Sequence, residues 1–104
     1  MGIFQETGNY IYPTNKAKTP VVVTITGELT RVQSNNPQMN YKGKNNEDKG
    51  YYDIIPVVDE EGNEKVLKIS TWAVYYLLRD LNPEIGDTIE ITRPQNGKYV
   101  IVKK

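Results

Sequence analysis

The sequence predicts an all-β domain with one helix. Five segments show the two-residue alternation of apolar and polar side chains that is typical of strands, and one segment shows helical spacing. Turn-forming residues separate these segments. A chain of 104 residues is long enough for one such domain with a modest core.

The first strand is predicted over residues 20–32, after an irregular N-terminal arm over residues 1–19. Val21, Val23 and Ile25 alternate with valine and threonine and define one face of this strand. Gly27 lies within the strand and predicts a bulge or a sharp bend. Four apolar side chains of the arm are expected to hold it against the domain: Phe4, Tyr10, Ile11 and Tyr12.

A long loop is predicted over residues 33–50, which contain five Asn, two Gly and one Pro. Loops of this length in compact domains are usually functional or disordered. The second and third strands are predicted over residues 51–58 and 64–70, and an acidic turn joins them. Pro56 predicts that its part of the second strand lies at an edge or a bulge.

The helix is predicted over residues 71–81. Its apolar stripe has the spacing i, i+3, i+4, i+7 and consists of Val74, Leu77, Leu78 and Leu81. Ser70 or Thr71 is the expected N-cap, and Pro83 ends the helix.

The last two strands are predicted over residues 87–93 and 98–104, with a hairpin turn at Asn96-Gly97. The order is thus five strands with one helix between the third and the fourth. This is the order of the OB-fold, a small Greek-key barrel, and we assign it to residues 20–104. An SH3-like barrel is the nearest alternative, but it lacks a full helix at this point.

Composition excludes several classes of site. The chain has no Cys and no His, so disulfides, thiolate metal sites, the usual zinc ligands and the Ser-His-Asp triad are excluded. It has no phosphate-binding glycine motif and no nucleophile elbow, so we expect no enzyme activity, no cofactor and no metal. With no secretory signal and no membrane-spanning segment visible, a cytoplasmic location without membrane contact is expected.

The second half of the chain resembles a known family. A strand leads into a helix that begins with Trp72, a Pro-x-x-Gly-Asp turn follows at residues 83–87, and a short hairpin joins the last two strands. In this respect Val66 to Val102 resembles the C-terminal half of OB-fold single-stranded-DNA-binding proteins of the small phage or mobile-element type. The resemblance implies binding of single-stranded DNA with little sequence preference, in the replication or recombination of a phage or mobile element.

Candidate binding residues surround the long loop, because single-strand binding needs cations for phosphates and flat rings for bases. We expect Tyr41 and Tyr51 to stack on bases. Phosphate contacts are expected from the neighbouring cations: Arg31, Lys42, Lys44, Lys49 and Lys68. Asp53 is expected to face solvent, and alternation then places Tyr51 on the exposed face of its strand.

A second set of aromatic residues lies on the helix. Trp72, Tyr75, Tyr76 and Arg79 also have the spacing i, i+3, i+4, i+7, so the helix has a second face. This face either packs in the core or contacts a protein partner or a second copy. The alternative function is therefore an OB-fold protein-interaction adaptor that binds no nucleic acid. The sequence does not separate RNA from DNA as a ligand, because 2′-hydroxyl contacts are not visible in it.

Overall fold

The structure is a computed structural model that describes residues 10–11, 20–92 and 98–104. Within these residues, seven strands form one mostly antiparallel sheet, and a single α-helix packs against it. The elements are β1 (Tyr10–Ile11), β2 (Val21–Ile25), β3 (Thr30–Gln33), β4 (Tyr51–Val58), β5 (Glu64–Ile69), α1 (Trp72–Leu81), β6 (Thr88–Thr92) and β7 (Val100–Lys103). The predicted all-β fold with one helix is confirmed. Phe4, Tyr12 and the Asn96-Gly97 turn lie outside the described residues.

The pairing order of the sheet is β1-β5-β4-β2-β6-β7, and β3 also pairs with β4. Every pair is antiparallel except that of β1 with β5, which is parallel, with Tyr10 opposite Val66. The sequence predicts an irregular arm at this point. Two residues are too few for an alternation pattern, so only the pairing itself reveals this strand.

The predicted first strand is divided into β2 and β3 by a break at Gly27. A Cβ on Gly27 would lie 2.8 Å from Cγ of Pro56, and a proline ring cannot move aside. The carbonyl of Pro56 accepts a hydrogen bond from the Thr26 N–H at 2.9 Å. Since the N and O of a strand residue point to the same side, the missing N–H of Pro56 faces the break. The bend predicted at Gly27 is confirmed. Pro56 lies in an interior strand and in regular register with β5, and the break at Gly27 accommodates it there.

The helix α1 begins after Thr71 and ends where Asn82 adopts a left-handed conformation, with φ 48°. The Asn82 N–H donates to the Leu78 carbonyl at 2.8 Å, which closes the last turn. Val74 and Leu78 are buried in the core. No described helix is long and apolar enough to cross a membrane.

The core lies between the inner face of the sheet and α1. Its strand residues alternate along the chain: Val21, Val23, Ile25, Ile55, Val57, Leu67, Ile69, Ile89, Ile91 and Ile101. One further core residue, Tyr41, comes from the long loop. The loop is therefore attached to the domain through its own side chain.

Candidate nucleic-acid interface

Tyr41 anchors the long loop between the sheet and the helix. Its side chain is fully buried. The ring stacks on Trp72 with a centroid distance of 4.0 Å and an angle of 16° between the planes. It also meets Tyr51 and Tyr75 edge to face, at 5.7 and 6.1 Å. A ring in such a position fixes the loop on the helix, because pulling it out would open the core.

A buried carboxylate holds the hydroxyl end of this anchor. The Tyr41 hydroxyl donates to Oδ2 of Asp53 at 2.7 Å. Opposite Asp53 across the strand pair, Arg31 donates from Nε and Nη2 at 3.1 and 3.2 Å. Burial, and then the hydrogen bond to Asp53, raise the pKa of Tyr41, so the phenol remains protonated and can donate. The network satisfies the two oxygens of a fully buried aspartate, as a buried charge requires.

Backbone and side-chain bonds give the rest of the loop a defined shape. Residues 37–39 form one short 3-10 turn, and Lys42 pairs with Asp48 as an isolated bridge. The Asp48 carboxylate accepts from the Gly50 N–H and from the side chain of Asn40, both at 2.9 Å. Trp72 Nε1 donates to the Lys42 carbonyl at 2.7 Å. The loop is thus tied to the beginning of α1 at the backbone as well as through Tyr41.

The tied loop and the helix enclose an open groove of about 510 Å³. We call it the lysine–aromatic groove, and it is lined by Lys42, Gly43, Lys44, Glu47, Lys49, Trp72 and Tyr76. The rings of Trp72 and Tyr76 have a centroid distance of 6.1 Å and are inclined by 32°. Tyr76 is 53% exposed, so its ring is accessible to a ligand. Tyr41 covers one face of Trp72, so Tyr76 and the other face of Trp72 are the surfaces on which bases can stack, beside three lysines that can neutralise phosphates.

One acidic residue moderates the charge of this groove. Glu47 accepts from Lys49 Nζ at 2.9 Å, and this hydrogen bond raises the pKa of Lys49. Lys42 Nζ donates to the Pro37 carbonyl. Lys44 is exposed to solvent. Three lysines and one glutamate make the groove locally cationic, although the net charge of the whole chain is zero.

The prediction that Asp53 faces solvent is wrong. Asp53 lies on the same face of β4 as the buried Ile55 and Val57 and is itself fully buried. Its charge is compensated by Arg31 and Tyr41, and neither partner is adjacent in sequence. The charge of Asp53 therefore does not mark the exposed face of the strand.

Two predicted contacts of the nucleic acid are buried. Tyr41 exposes no ring face, so its predicted stacking role is corrected to an anchoring role. Lys68 is also buried: Nζ donates to the Met39 carbonyl at 2.7 Å and lies 4.7 Å from the centre of the Tyr52 ring. Burial lowers the pKa of Lys68. A phosphate cannot reach this amino group while the loop covers it, so its predicted phosphate contact is corrected.

Two other predicted binding residues, Arg31 and Tyr51, lie on the side of Tyr41 that is away from Trp72. The prediction that Tyr51 lies on the exposed face of β4 is wrong: it shares the core face with Asp53 and packs partly buried against the core. The guanidinium of Arg31 lies over one face of its ring, 4.2 Å from the centroid. The Arg31 side chain is 43% exposed. The buried ring of Tyr41 separates this pair from Trp72, so Arg31 and Tyr51 do not line the lysine–aromatic groove.

The structure brings together Lys42, Lys44 and Lys49 as predicted, but it supplies Trp72 and Tyr76 as their aromatic partners. The sequence contains a signal for these two rings, since they are four residues apart on one helix face. That signal predicts a shared face without indicating which loop the face meets.

No protein-family model, curated protein or solved structure matches this chain significantly. Among the described residues, no group of three or more acidic side chains lies close enough together to hold a metal ion.

Proposed function

We propose that the protein binds single-stranded nucleic acid, with DNA as the principal ligand and with little sequence preference. One observation supports this most directly: the three loop lysines and the Trp72 and Tyr76 rings lie in the same open groove. Ammonium groups attract every phosphate alike, and rings stack on every base. Such a site therefore selects single strands without reading their sequence.

The groove suits a single strand better than a duplex. In a duplex the base faces are already stacked on one another, so Trp72 and Tyr76 would find no partners. Duplex binding depends mainly on many phosphate contacts. Three lysines and a glutamate provide few of these.

The strand pairing supports an OB-type barrel as the fold that presents this groove. The divided first strand, β2 with β3, pairs with β4 and β6, while β4 pairs with β5 and β6 with β7. An OB barrel closes where its last strand pairs with its third, and the corresponding strands here are β7 and β5. In the described residues, the edge of β5 that would meet β7 pairs with β1 instead. We propose a partly open barrel in which the N-terminal strand covers this edge.

The resemblance to small phage and mobile-element proteins extends the proposal to a cellular role. A sequence-tolerant single-strand binder of this size would serve DNA replication or recombination of such an element. Its location would be the cytoplasm, where those processes occur.

A second candidate is a protein-interaction adaptor that uses the helix. The exposed ring of Tyr76 favours it, because large aromatic side chains are enriched at protein interfaces. In that case Tyr76 would contact a partner protein, and the lysines would only keep the loop soluble.

Equilibrium binding to labelled oligonucleotides tests the proposal. The ligand is a dT strand of about 30 nucleotides, which exceeds the roughly 4–16 that one OB domain occupies. We expect binding at low salt that weakens as salt rises, and much weaker binding to a duplex of the same length. An rU strand of equal length measures the preference for DNA over RNA. Absence of dT binding at low salt would reject the proposal in favour of the adaptor.

A further inference from the structure

Exposed apolar side chains define two further surfaces. Among the described residues, five large hydrophobic side chains are strongly exposed: Leu29, Tyr76, Ile85, Val100 and Val102. Tyr76 belongs to the lysine–aromatic groove. Leu29 and Ile85 line a second groove, and Val100 and Val102 lie on one face of β7. The protein thus exposes an apolar concavity and an apolar ridge.

The second groove has a volume of about 660 Å³ and lies beside the C-terminal half of α1. We call it the apolar groove; its main apolar lining is Ile25, Leu29, Ile55, Leu78 and Ile85. Leu29 and Ile85 are 43% and 60% exposed. The bend at Gly27 and the left-handed turn at Asn82 direct the chain around this concavity, since both residues also line it.

The charges of the apolar groove are mainly acidic. Glu28 and Glu84 line it and are exposed to solvent, and Arg79 is the one basic residue in its lining. An occupant with two small apolar side chains followed by positive charge would therefore complement the groove in both respects.

Such a segment is present at β7. Val100 and Val102 are 45% and 46% exposed on the same face of the strand, whereas Ile101 between them is buried. Two strand residues apart, their side chains are about 7 Å from each other. Lys103 and Lys104 follow and pair with Asp87 at 3.4 Å and Glu90 at 3.0 Å. Exposed ion pairs of this kind are weak and exchange readily.

We propose that the β7 ridge of one copy, formed by Val100, Val102 and Lys104, docks in the apolar groove of a second copy. The valines cover Leu29 and Ile85, and Lys104 approaches Glu28 and Glu84. The two surfaces share no residue, so a single contact leaves one ridge and one groove open for further copies unless the assembly closes on itself. This contact needs no nucleic acid. Its consequence for binding, cooperative coverage of a single strand, rests on the proposed function.

Complementation between two variants tests the contact without nucleic acid. Ile85→Lys impairs the groove and keeps the ridge, whereas Val102→Glu impairs the ridge and keeps the groove. By analytical ultracentrifugation, the mass of the wild type should rise with concentration. Each variant alone should associate at least about tenfold more weakly, because the new lysine faces the ridge lysine and the new glutamate faces the groove glutamates across the contact. The equimolar mixture should form dimers, since it combines one intact ridge with one intact groove.

Tyr76→Ser is the matched control, because Tyr76 is equally exposed but lies outside both surfaces; it should associate like the wild type. Thermal unfolding checks the fold of each variant, and Lys104→Glu replaces Val102→Glu if that variant is unfolded. A monomeric wild type at every concentration up to about 1 mM would overturn the proposal. So would a mixture that remains monomeric while the wild type associates. Binding of dT by a strictly monomeric protein would overturn the contact alone and leave the proposed function intact.

Discussion

Two different grooves lie along α1, and Tyr75, which lines the second, contacts both aromatic rings of the first. At its N-terminal half, Trp72 and Tyr76 meet three lysines and one glutamate of the long loop. At its C-terminal half, Leu78 and Arg79 meet apolar side chains and two glutamates. One helix thus separates a cationic aromatic surface from an apolar surface with acidic residues at its edge.

The difference shows why a net charge of zero says little about ligands. Electrostatic attraction acts over about 8–10 Å at physiological salt, so a phosphate responds to the nearest charges and not to the sum over the chain. The lysines give the lysine–aromatic groove a positive local charge, whereas Glu28 and Glu84 give the apolar groove a negative one. The proposed binding of nucleic acid and the proposed contact with a second copy should therefore respond to different substitutions.

The largest expected effect is the loss of protein stability when the Tyr41 anchor is removed, and it should impair the lysine–aromatic groove more than the apolar groove. Tyr41→Ala removes a fully buried ring and should lower the free energy of unfolding by about 3–5 kcal/mol. It should also release the loop and abolish dT binding under conditions where the protein remains folded. The apolar groove includes no residue of 33–50, although its lining residue Tyr75 packs on Tyr41, so self-association of the folded fraction should weaken less than dT binding. Urea denaturation and dT titration measure the two effects.

Tyr41→Phe is the control for this prediction. It keeps the stacked ring and removes only the hydroxyl bond to Asp53, which should cost about 1–3 kcal/mol and leave dT binding close to that of the wild type. A Tyr41→Ala protein as stable as the wild type would contradict the anchoring role.

The next effect compares one exposed ring with one exposed aliphatic side chain. Tyr76→Ala should weaken dT binding by about one to two decades, because stacking on an aromatic ring contributes about 1–3 kcal/mol per base. Ile85→Ala in the apolar groove should not change binding to a dT strand that accommodates only one copy. Fluorescence anisotropy measures both affinities. Equal losses in the two variants would mean that the two grooves are not functionally distinct.

A smaller effect concerns salt. Replacing Lys42, Lys44 and Lys49 by Ala should reduce the slope of log affinity against log salt by up to about two, since each phosphate contact on a single strand contributes about 0.7. Glu47→Gln should increase the slope slightly, because it releases Lys49 from its ion pair. Replacing Lys103 and Lys104 is the control and should leave the slope unchanged on a dT strand that accommodates only one copy. An unchanged slope in the triple variant would place the phosphate contacts elsewhere.

The smallest expected effect is a loosening of the long loop at low pH, when Asp48 becomes protonated. Hydrogen bonds from Gly50 and Asn40 hold the pKa of Asp48 below its ordinary value of 3.8. The stabilisation by Asp48 is therefore present above that value and is lost as pH falls through the lower pKa of the folded state. Hydrogen exchange at the Gly50 amide should accelerate, relative to other loop amides, only in that acidic range. The Asp48→Asn variant should lack this step, and an identical acid profile in the variant would contradict the assignment.

The sequence predicts most of the sheet because alternation is a local property. Residues 51–58 and 64–69 form strands with the predicted bounds to within one residue, and α1 does the same. Gly27 marks the break in the first strand because a glycine inside a strand has few other uses. The parallel pairing of β1 is missed because it joins residues far apart in the chain and is only two residues long.

The candidate site is predicted only in part, because its contacts are not local. Alternation assigns residues to faces but does not state which face is interior, and the charge of Asp53 indicates the wrong one. Its compensating partner, Arg31, is 22 residues away. The contact between Trp72 and Lys42 spans 30 residues and depends on how the loop folds. The lysines are thus predictable as a cluster, whereas their aromatic neighbours are not.

Chemical-shift mapping with isotopically labelled protein tests the central claim most directly. A short dT strand is added at low salt, and the backbone amides are followed by NMR. We predict that the largest shifts occur at residues 42–49 and at the beginning of α1, with the Trp72 indole among them, while residues 27–29 and 82–85 remain unchanged. Shifts concentrated at the apolar groove, or no shifts at saturating dT, would contradict the assignment of nucleic-acid binding to the lysine–aromatic groove.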